Sequence, residues 1–366
     1  MIRINQPLIG KAEREAVLAV LDSGQLAQGE RVAELERRWA ELCGTRFAVA
    51  VSSGTAALHL ALLAHGIGPG HEVITTPLTF VATANAILLC GAVPVFVDVE
   101  PDTLNIDARA IEDAITERTR AILPVHLYGQ PCDMEALIGI AEKHCLLLIE
   151  DCAQAVGARY RGRPVGSFGT GCFSLYATKN ITCGEGGIVT TDSDVVAGRV
   201  RLLRHHGQRG RDQIKCLGYN YRLTDLQAAL ALAQLEQLED FMVARQYNAA
   251  YLSEHITNPA IALPICRPDR EHAWHQYTVR FKPGVKQVDR AREEAMAKLA
   301  EAGIETRVYY PCPLQYLGHM PSSQRSYQPG SLEQASEASR SILSLPIHPG
   351  LSEADLAKIA EEVNKL

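Results

Sequence analysis

No block of basic residues occurs anywhere in the 366-residue chain, whose 36 lysines and arginines stand against 42 aspartates and glutamates, a net charge of −6. That balance argues against a nucleic-acid footprint or a polybasic membrane patch. Small anions remain in play, because they need only a local pocket. The 10 cysteines contain no C-x-x-C pair, the closest two being Cys145 and Cys152. Metal ribbons and redox dithiols lack their spacing, and reduced, mostly buried thiols are expected instead. The histidines form no H-E-x-x-H, so no metal site is expected. The opening MIRINQPLIG lacks a basic-then-apolar signal pattern, and a cytoplasmic location is the expectation. Internal repeats and low-complexity tracts are missing too.

What is present is an ordinary soluble composition, 47% hydrophobic and 21% charged. At about 150 residues per domain, the length suggests two domains. One uncharged stretch, Val73 to Val97, is long enough for a membrane helix but is broken by Pro77, Gly91 and Pro94 and carries Thr75, Thr76, Thr79, Thr83 and Asn85. It reads as strand, helix, strand. From residue 46 to 191, β-branched runs (FAVAVSS, EVITT, VPVFVDV, RAILPVH, LLLIED, GCFSLYA, GGIVTTD) alternate with helical stretches at 56–65, 79–89, 108–115 and 134–145. Strands fed by helices predict an α/β fold, a mostly parallel sheet covered on both faces, which explains why LLLI and VPVFV are continuously apolar. Thr224 and Gln227 in capping-box spacing open a leucine-rich helix predicted to run to Leu252 and to link two domains, 1–252 and 253–366. The proline-bearing segment 258–271 reads as a linker. QYTVRF, 290–302, IETRVYY and two helices opening at Ser331 and Ser352 then predict a small α+β domain.

Four places in the large domain hold residues that a packed core does not require. Ser52-Ser53-Gly54-Thr55, between a strand and a helix, is a plain N-cap or an anion cradle of free N–H groups. Glu150-Asp151 ends the apolar strand LLLI, where ligands of parallel sheets bind; the acid is either a helix cap or a partner for a ligand cation. Lys179, in FSLYATKNITCGEGG with Ser174, is either a solvated loop lysine or an amine of lowered pKa able to form a Schiff base with an aldehyde. Gly218-Tyr219-Asn220-Tyr221-Arg222 reads alone as a turn. Taken together, a phosphate cradle, a strand-end acid and a lysine 28 residues beyond it are the three contacts that pyridoxal phosphate needs.

At these residues the chain resembles the DegT/DnrJ/EryC1/StrS group of fold-type I pyridoxal phosphate enzymes, the nucleotide-sugar aminotransferases. SSGTAALHLAL, ITTPLTFVATANAI, GAVPVFVDVE, LPVHLYGQPCDM, IEDCAQAVGARY, FSLYATKNITCGEGG, YNYRLTDLQAALALAQLEQL, WHQYTVRF and SLPIHPGLSE follow the family's order over nearly the whole chain. The resemblance implies Lys179 as the Schiff-base lysine, Asp151 as the partner of the ring nitrogen and Gln154 near the ring hydroxyl. It further implies Gly54, Thr55 and Ser174 at the phosphate, and Phe80 stacked on the ring. Asn220 would reach the cofactor phosphate of a neighbouring subunit, implying a homodimer. By the same resemblance Tyr309 and Tyr310 contact substrate, L-glutamate donates the amino group, and a nucleotide-linked keto-sugar accepts it by ping-pong kinetics. Val308-Tyr309-Tyr310-Pro311-Cys312-Pro313 leans toward 3-keto over 4-keto sugars. Cys152, Leu175 and Cys183 are size departures from the family pattern, and Gln315 stands where many members carry histidine. A sugar dehydratase, which replaces the lysine by histidine, is opposed by Lys179, and a non-catalytic regulatory relative would have no use for an intact site. A dinucleotide-dependent dehydrogenase lacks its fingerprint, since Gly66-Ile67-Gly68-Pro69-Gly70 follows a helix.

Overall fold

The computed structural model describes residues 1–210, 213–282, 284–285, 287–318, 320 and 332–366. Two helices, α1 (Lys11–Ser23) and α2 (Glu30–Cys43), precede the alternating region. There follow β1 (Phe47–Val51), α3 (Gly54–Ala64), β2 (Glu72–Thr75), α4 (Ala82–Leu89), β3 (Val93–Phe96), β4 (Thr119–Leu123), α5 (Met134–Lys143) and β5 (Leu147–Asp151). A small hairpin of β6 (Arg159–Tyr160) and β7 (Arg163–Pro164) leads to β8 (Thr170–Ser174), β9 (Gly187–Thr191) and α6 (Asp194–Arg204). The large sheet has the order β1-β9-β8-β5-β4-β2-β3, and only β9 runs against the other strands. Every expected strand of this region is present. The uncharged stretch becomes β2, α4 and β3, and among the described residues no helix is long and apolar enough to cross a membrane.

Apolar residues cover both faces of this sheet because helices lie on both. On one face α3, whose residues from Ala56 to Leu62 are all buried, packs with α4 and α6; on the other lie α2 and the helix α7 (Asp225–Leu235). In α2 the buried residues Val32, Leu35, Trp39 and Cys43 recur at helical spacing, which turns one stripe inward. A side chain nearly 200 residues away starts this helix: the buried Asp225 carboxylate accepts the N–H groups of Gly29 (2.8 Å), Arg31 (3.3 Å) and Val32 (3.0 Å). Replacing Asp225 by alanine leaves these donors without acceptors. Unfolding stability is expected to fall by about 2 kcal/mol, read as a lower urea midpoint at unchanged slope.

Three expectations for the connections are revised. The stretch 108–115 forms two short 3₁₀ turns, Ala108–Ala110 and Glu112–Ala114, in place of an α-helix. The capping box of Thr224 and Gln227 is formed, but the long helix breaks at Glu236 and Gln237 into α7 and α8 (Leu238–His255). The segment 258–271 holds two short strands, β10 (Ile261–Ala262) and β11 (Arg270–Glu271), which pair with β12 (Tyr277–Phe281) and β6 respectively.

The remaining elements are α9 (Val288–Glu301), α10 (Glu333–Ser341), β13 (Ile342–Leu345) and α11 (Glu353–Asn364). β10, β12 and β13 form a three-stranded antiparallel sheet whose core includes Ala249 and Leu252 of α8, Leu299 of α9 and Ile359 of α11. IETRVYY forms no strand; Ile304 bridges to Ile2, and Arg307 to Ser344. Ser352 closes a capping box with Asp355, whereas Ser331 lies outside the described residues.

Candidate active site

The carboxyl ends of β1, β5 and β8 bring the four sequence features to one side of the large sheet. After β1 the chain turns through Ser52 and Ser53, and the Ser53 hydroxyl caps α3 by accepting the Ala56 N–H at 3.1 Å. The Gly54 and Thr55 N–H groups have no acceptor among the described residues. They point along the helix start, where the dipole favours an anion. Glycine at 54 has a geometric cause: a Cβ there would stand 2.7 Å from the Ser174 Cβ. Ser174, at the end of β8, thereby reaches the same turn.

Asp151, the last residue of β5, is buried. Its Oδ1 accepts the Ala153 N–H at 3.1 Å and its Oδ2 accepts the Thr83 hydroxyl at 2.8 Å. Burial raises its affinity for a proton, and these two bonds together with Lys179 and His126 oppose the rise. The strand end below it is braced by Glu150, whose carboxylate accepts N–H groups from Gly166 (2.8 Å), Phe168 (2.9 Å) and Gly169 (3.0 Å) and lies 3.2 Å from His126 Nε2. His126, Glu150 and Cys152 place ligand-type atoms within 4.8 Å of one another. Those atoms already have protein partners: His126 Nδ1 accepts the Cys132 N–H at 3.0 Å, and Glu150 accepts three backbone N–H groups besides facing His126 Nε2.

Lys179 follows β8 on a loop held by Asn180, which donates to the Ala273 carbonyl at 2.8 Å and lies 3.2 Å from His275 Nδ1. Loss of water around the Lys179 amine lowers its pKa from 10.5 to about 8, while the Asp151 carboxylate pulls it upward. The residue as a whole is half-buried, neither a free surface lysine nor sealed away from the strand ends. An amine of this kind is neutral over more of the working pH range, so attachment of free pyridoxal phosphate to the apo-protein is expected to accelerate with a midpoint near pH 8. A stopped-flow series from about pH 6.5 to 9.5 measures it.

Gln154 is fixed at both ends of its amide. Its Oε1 accepts the Tyr128 N–H at 2.7 Å, and its Nε2 donates to the Tyr310 hydroxyl at 3.0 Å. Tyr128 in turn donates its hydroxyl to the Tyr309 carbonyl. Tyr309 and Tyr310 are thus tied to the loops after β4 and β5 through Tyr128 and Gln154. Phe80, in the turn before α4, is 56% exposed, and its ring centroid lies 6.1 Å from that of Tyr310. Asn220 is exposed, on a segment fixed to the turn before α3 by the Ser52 N–H to Tyr221 carbonyl bond of 2.9 Å. Thr83 and Tyr128 act here without any local motif to mark them. The one sign in the sequence was the pair of hydroxyls, Thr79 and Thr83, at i and i+4 in an uncharged run.

Free N–H groups and a hydroxyl for a phosphate, an amine for an aldehyde, and an acid for a basic ring nitrogen suit pyridoxal phosphate in all three of its functional parts. On this sheet, they make the chain a fold-type I, pyridoxal-phosphate-dependent aminotransferase. It belongs to the DegT/DnrJ/EryC1/StrS aminotransferase family, whose model matches residues 7–364. It is 40% identical to GDP-perosamine synthase of Caulobacter vibrioides over 100% of this chain and 98% of that protein. Among solved structures it resembles S. venezuelae DesV, with a TM-score of 0.90 and 40% identity over 96% of this chain and 93% of the other. The PLP form of the sugar aminotransferase Spr1654 from Streptococcus pneumoniae matches with a TM-score of 0.92 at 30% identity, over 99% of this chain and 97% of that one.

Proposed function

We propose that the protein moves the amino group of L-glutamate onto a keto-sugar carried by a nucleoside diphosphate, with Lys179 as the catalytic amine. The observation that carries this reading is the convergence of Lys179, Asp151 and the Gly54–Thr55–Ser174 turn at the carboxyl ends of β1, β5 and β8, with a lysine amine lowered to about 8. When bound, pyridoxal phosphate supplies an aldehyde that takes up the amino group and a ring that withdraws electrons from the carbon losing its proton. The Asp151 carboxylate would hold a proton on the ring nitrogen, since an adjacent anion favours the charged form. Lys179 would supply the amine for the aldehyde and would move the proton taken from the α-carbon of the donor. Gly54, Thr55 and Ser174 would hold the phosphate, and Phe80 would lie against the ring. Gln154, through its bond to Tyr310, sets the substrate side of the pocket.

Glutamate leaves as 2-oxoglutarate before the keto-sugar enters, so the kinetics are ping-pong. The Val308–Pro313 pattern supports a 3-keto acceptor over a 4-keto one. A screen of keto-sugar nucleotides with glutamate, with the position of the new amine read by NMR, tests both the acceptor and the ring position. Failure of glutamate alone to convert the bound cofactor and release 2-oxoglutarate would overturn the transaminase reading.

The exposure of Asn220, Phe80 and Tyr176 beside the site supports a homodimer in which Asn220 serves the neighbouring cofactor phosphate. Light scattering at a dimer mass is the expected result. The core shared by the end of α8 and the small sheet supports a division into 1–252 and 253–366, with the second part closing over substrate. Free cysteines, among them the buried Cys43, Cys90, Cys132, Cys152, Cys172 and Cys183, support a reducing, cytoplasmic setting.

A further inference from the structure

We propose that Thr83, oriented by Thr79, is a positioning residue for Asp151: a one-way chain of hydroxyl donors that holds this carboxylate ionised and aimed at the cofactor ring nitrogen. The inference rests on the reading of the site as a pyridoxal phosphate pocket.

The direction of the chain follows from proton counting. Thr79 Oγ1 lies 3.1 Å from Thr83 Oγ1, which lies 2.8 Å from Asp151 Oδ2. An ionised carboxylate only accepts, so the single hydroxyl proton of Thr83 goes to Asp151. Thr83 then has only lone pairs left for Thr79, and the Thr79 hydroxyl must donate. Both protons point toward Asp151, and each bond polarises the next. The three side chains are buried, at 1%, 1% and 4% exposure, so water does not substitute for a missing donor.

A helical threonine commonly turns its hydroxyl back to the carbonyl four residues earlier. Thr83 makes no such bond; it meets the Thr79 side chain and crosses 68 residues of sequence to Asp151. The arrangement also has a mechanical consequence. Thr79 adjoins Phe80, and the Thr83 N–H bonds the Phe80 carbonyl at 3.2 Å. The turn carrying the exposed ring and the acid at the strand end are therefore joined through two hydroxyls. With Thr83 and the Ala153 N–H each using one lone pair, Asp151 keeps others for the ring nitrogen.

The other groups facing Asp151 are Lys179 from the loop after β8, His126 from the loop after β4, Cys172 of β8, the neighbouring Cys152, and Tyr310 from the small-sheet side. Lys179 and His126 favour the ionised acid, while burial opposes it more strongly than any single partner. Thr83 heads the opposing contributions.

The test compares wild type with Thr83→Val, which keeps shape and removes the donor, and Thr83→Ser, which restores it. The first readout uses apo-protein: the infrared carbonyl band of protonated Asp151, assigned by its absence in Asp151→Asn and followed against pH. Thr83→Val is expected to raise its midpoint by about one pH unit or more. The second is the pyridoxal phosphate Kd, expected to weaken about 10- to 100-fold in Thr83→Val and by less than about threefold in Thr83→Ser. A Thr83→Val protein of native circular dichroism with both readouts at wild-type values overturns the proposal, as does a Thr83→Ser protein as impaired as the valine variant. If Thr83→Val does not fold, Thr79→Val decides: a smaller shift in the same direction supports the chain, and none overturns it. Wild type that fails to bind pyridoxal phosphate would remove the cofactor reading, while the infrared midpoint still judges Thr83.

Discussion

Replacing Lys179 by alanine is expected to lower transamination about 10⁴-fold or more while the protein stays folded, because no other group at the site can both attach to the cofactor aldehyde and move the α-proton. The fold survives for a specific reason. Among the described residues, the Lys179 side chain makes no hydrogen bond and no ion pair, and its ammonium form is disfavoured by burial. Removing it takes away a half-buried amine that has no such partner, so thermal stability should be unchanged or slightly higher. The measurement is borohydride reduction followed by peptide mass spectrometry. Wild type should carry the reduced cofactor on the peptide containing residue 179, and the alanine variant should carry none. An adduct of equal yield in the variant would move the reactive amine elsewhere and overturn the site. Lys179→Arg, which keeps a cation but offers no neutral amine, should be as inactive as alanine; it thereby separates loss of nucleophile from loss of charge.

The strands of the large sheet were legible because burial on both faces leaves little room for polar residues, so runs such as Leu147–Ile149 and Val93–Phe96 stand out from their surroundings. The break between α7 and α8 was not. Leucines at 226, 230, 235 and 238 continue the helical period straight through it, and the break is held from outside. Gln234 and Gln237 both donate to Glu13 Oε1 on α1, at 2.6 and 2.5 Å. A buried carboxylate on a distant helix has no local trace in the sequence at 236. β13 hid for a similar reason, lying directly after α10 with no turn residue between them.

The site divides along the same line. Lys179 and Asp151 were conspicuous because charged residues beside apolar strands require a partner or a task. Gln154 was picked out by resemblance alone, and its amide is oriented by the Tyr128 N–H and the Tyr310 hydroxyl. Those partners come from a turn after β4 and from the segment before α10, and only the fold brings them together. Thr83 is the sharpest case, since threonine in an alanine-rich helix has an unremarkable role until its hydroxyl is seen on Asp151.

Asp151→Asn is expected to bind cofactor, keep the fold and lose about 10³-fold in transamination. Asparagine matches the size of the acid, and its Oδ1 can still accept from Thr83 or from the Ala153 N–H. What it cannot do is favour a proton on the ring nitrogen by charge, so electron withdrawal weakens at the step where the α-carbon gives up its proton. A second, independent consequence has a definite sign. The Asp151 carboxylate raises the Lys179 amine against the effect of burial, which leaves it at about 8. With the charge gone only the lowering influence remains, and the pH midpoint for cofactor attachment to the apo-protein should move below that of wild type. The two readouts diverge: attachment becomes easier at low pH while the glutamate half-reaction slows. A variant that slowed both at every pH would point to a distorted pocket. Unchanged turnover would show that Asp151 does not govern the ring, and the role assigned to Thr83 would have to be judged on the infrared midpoint alone.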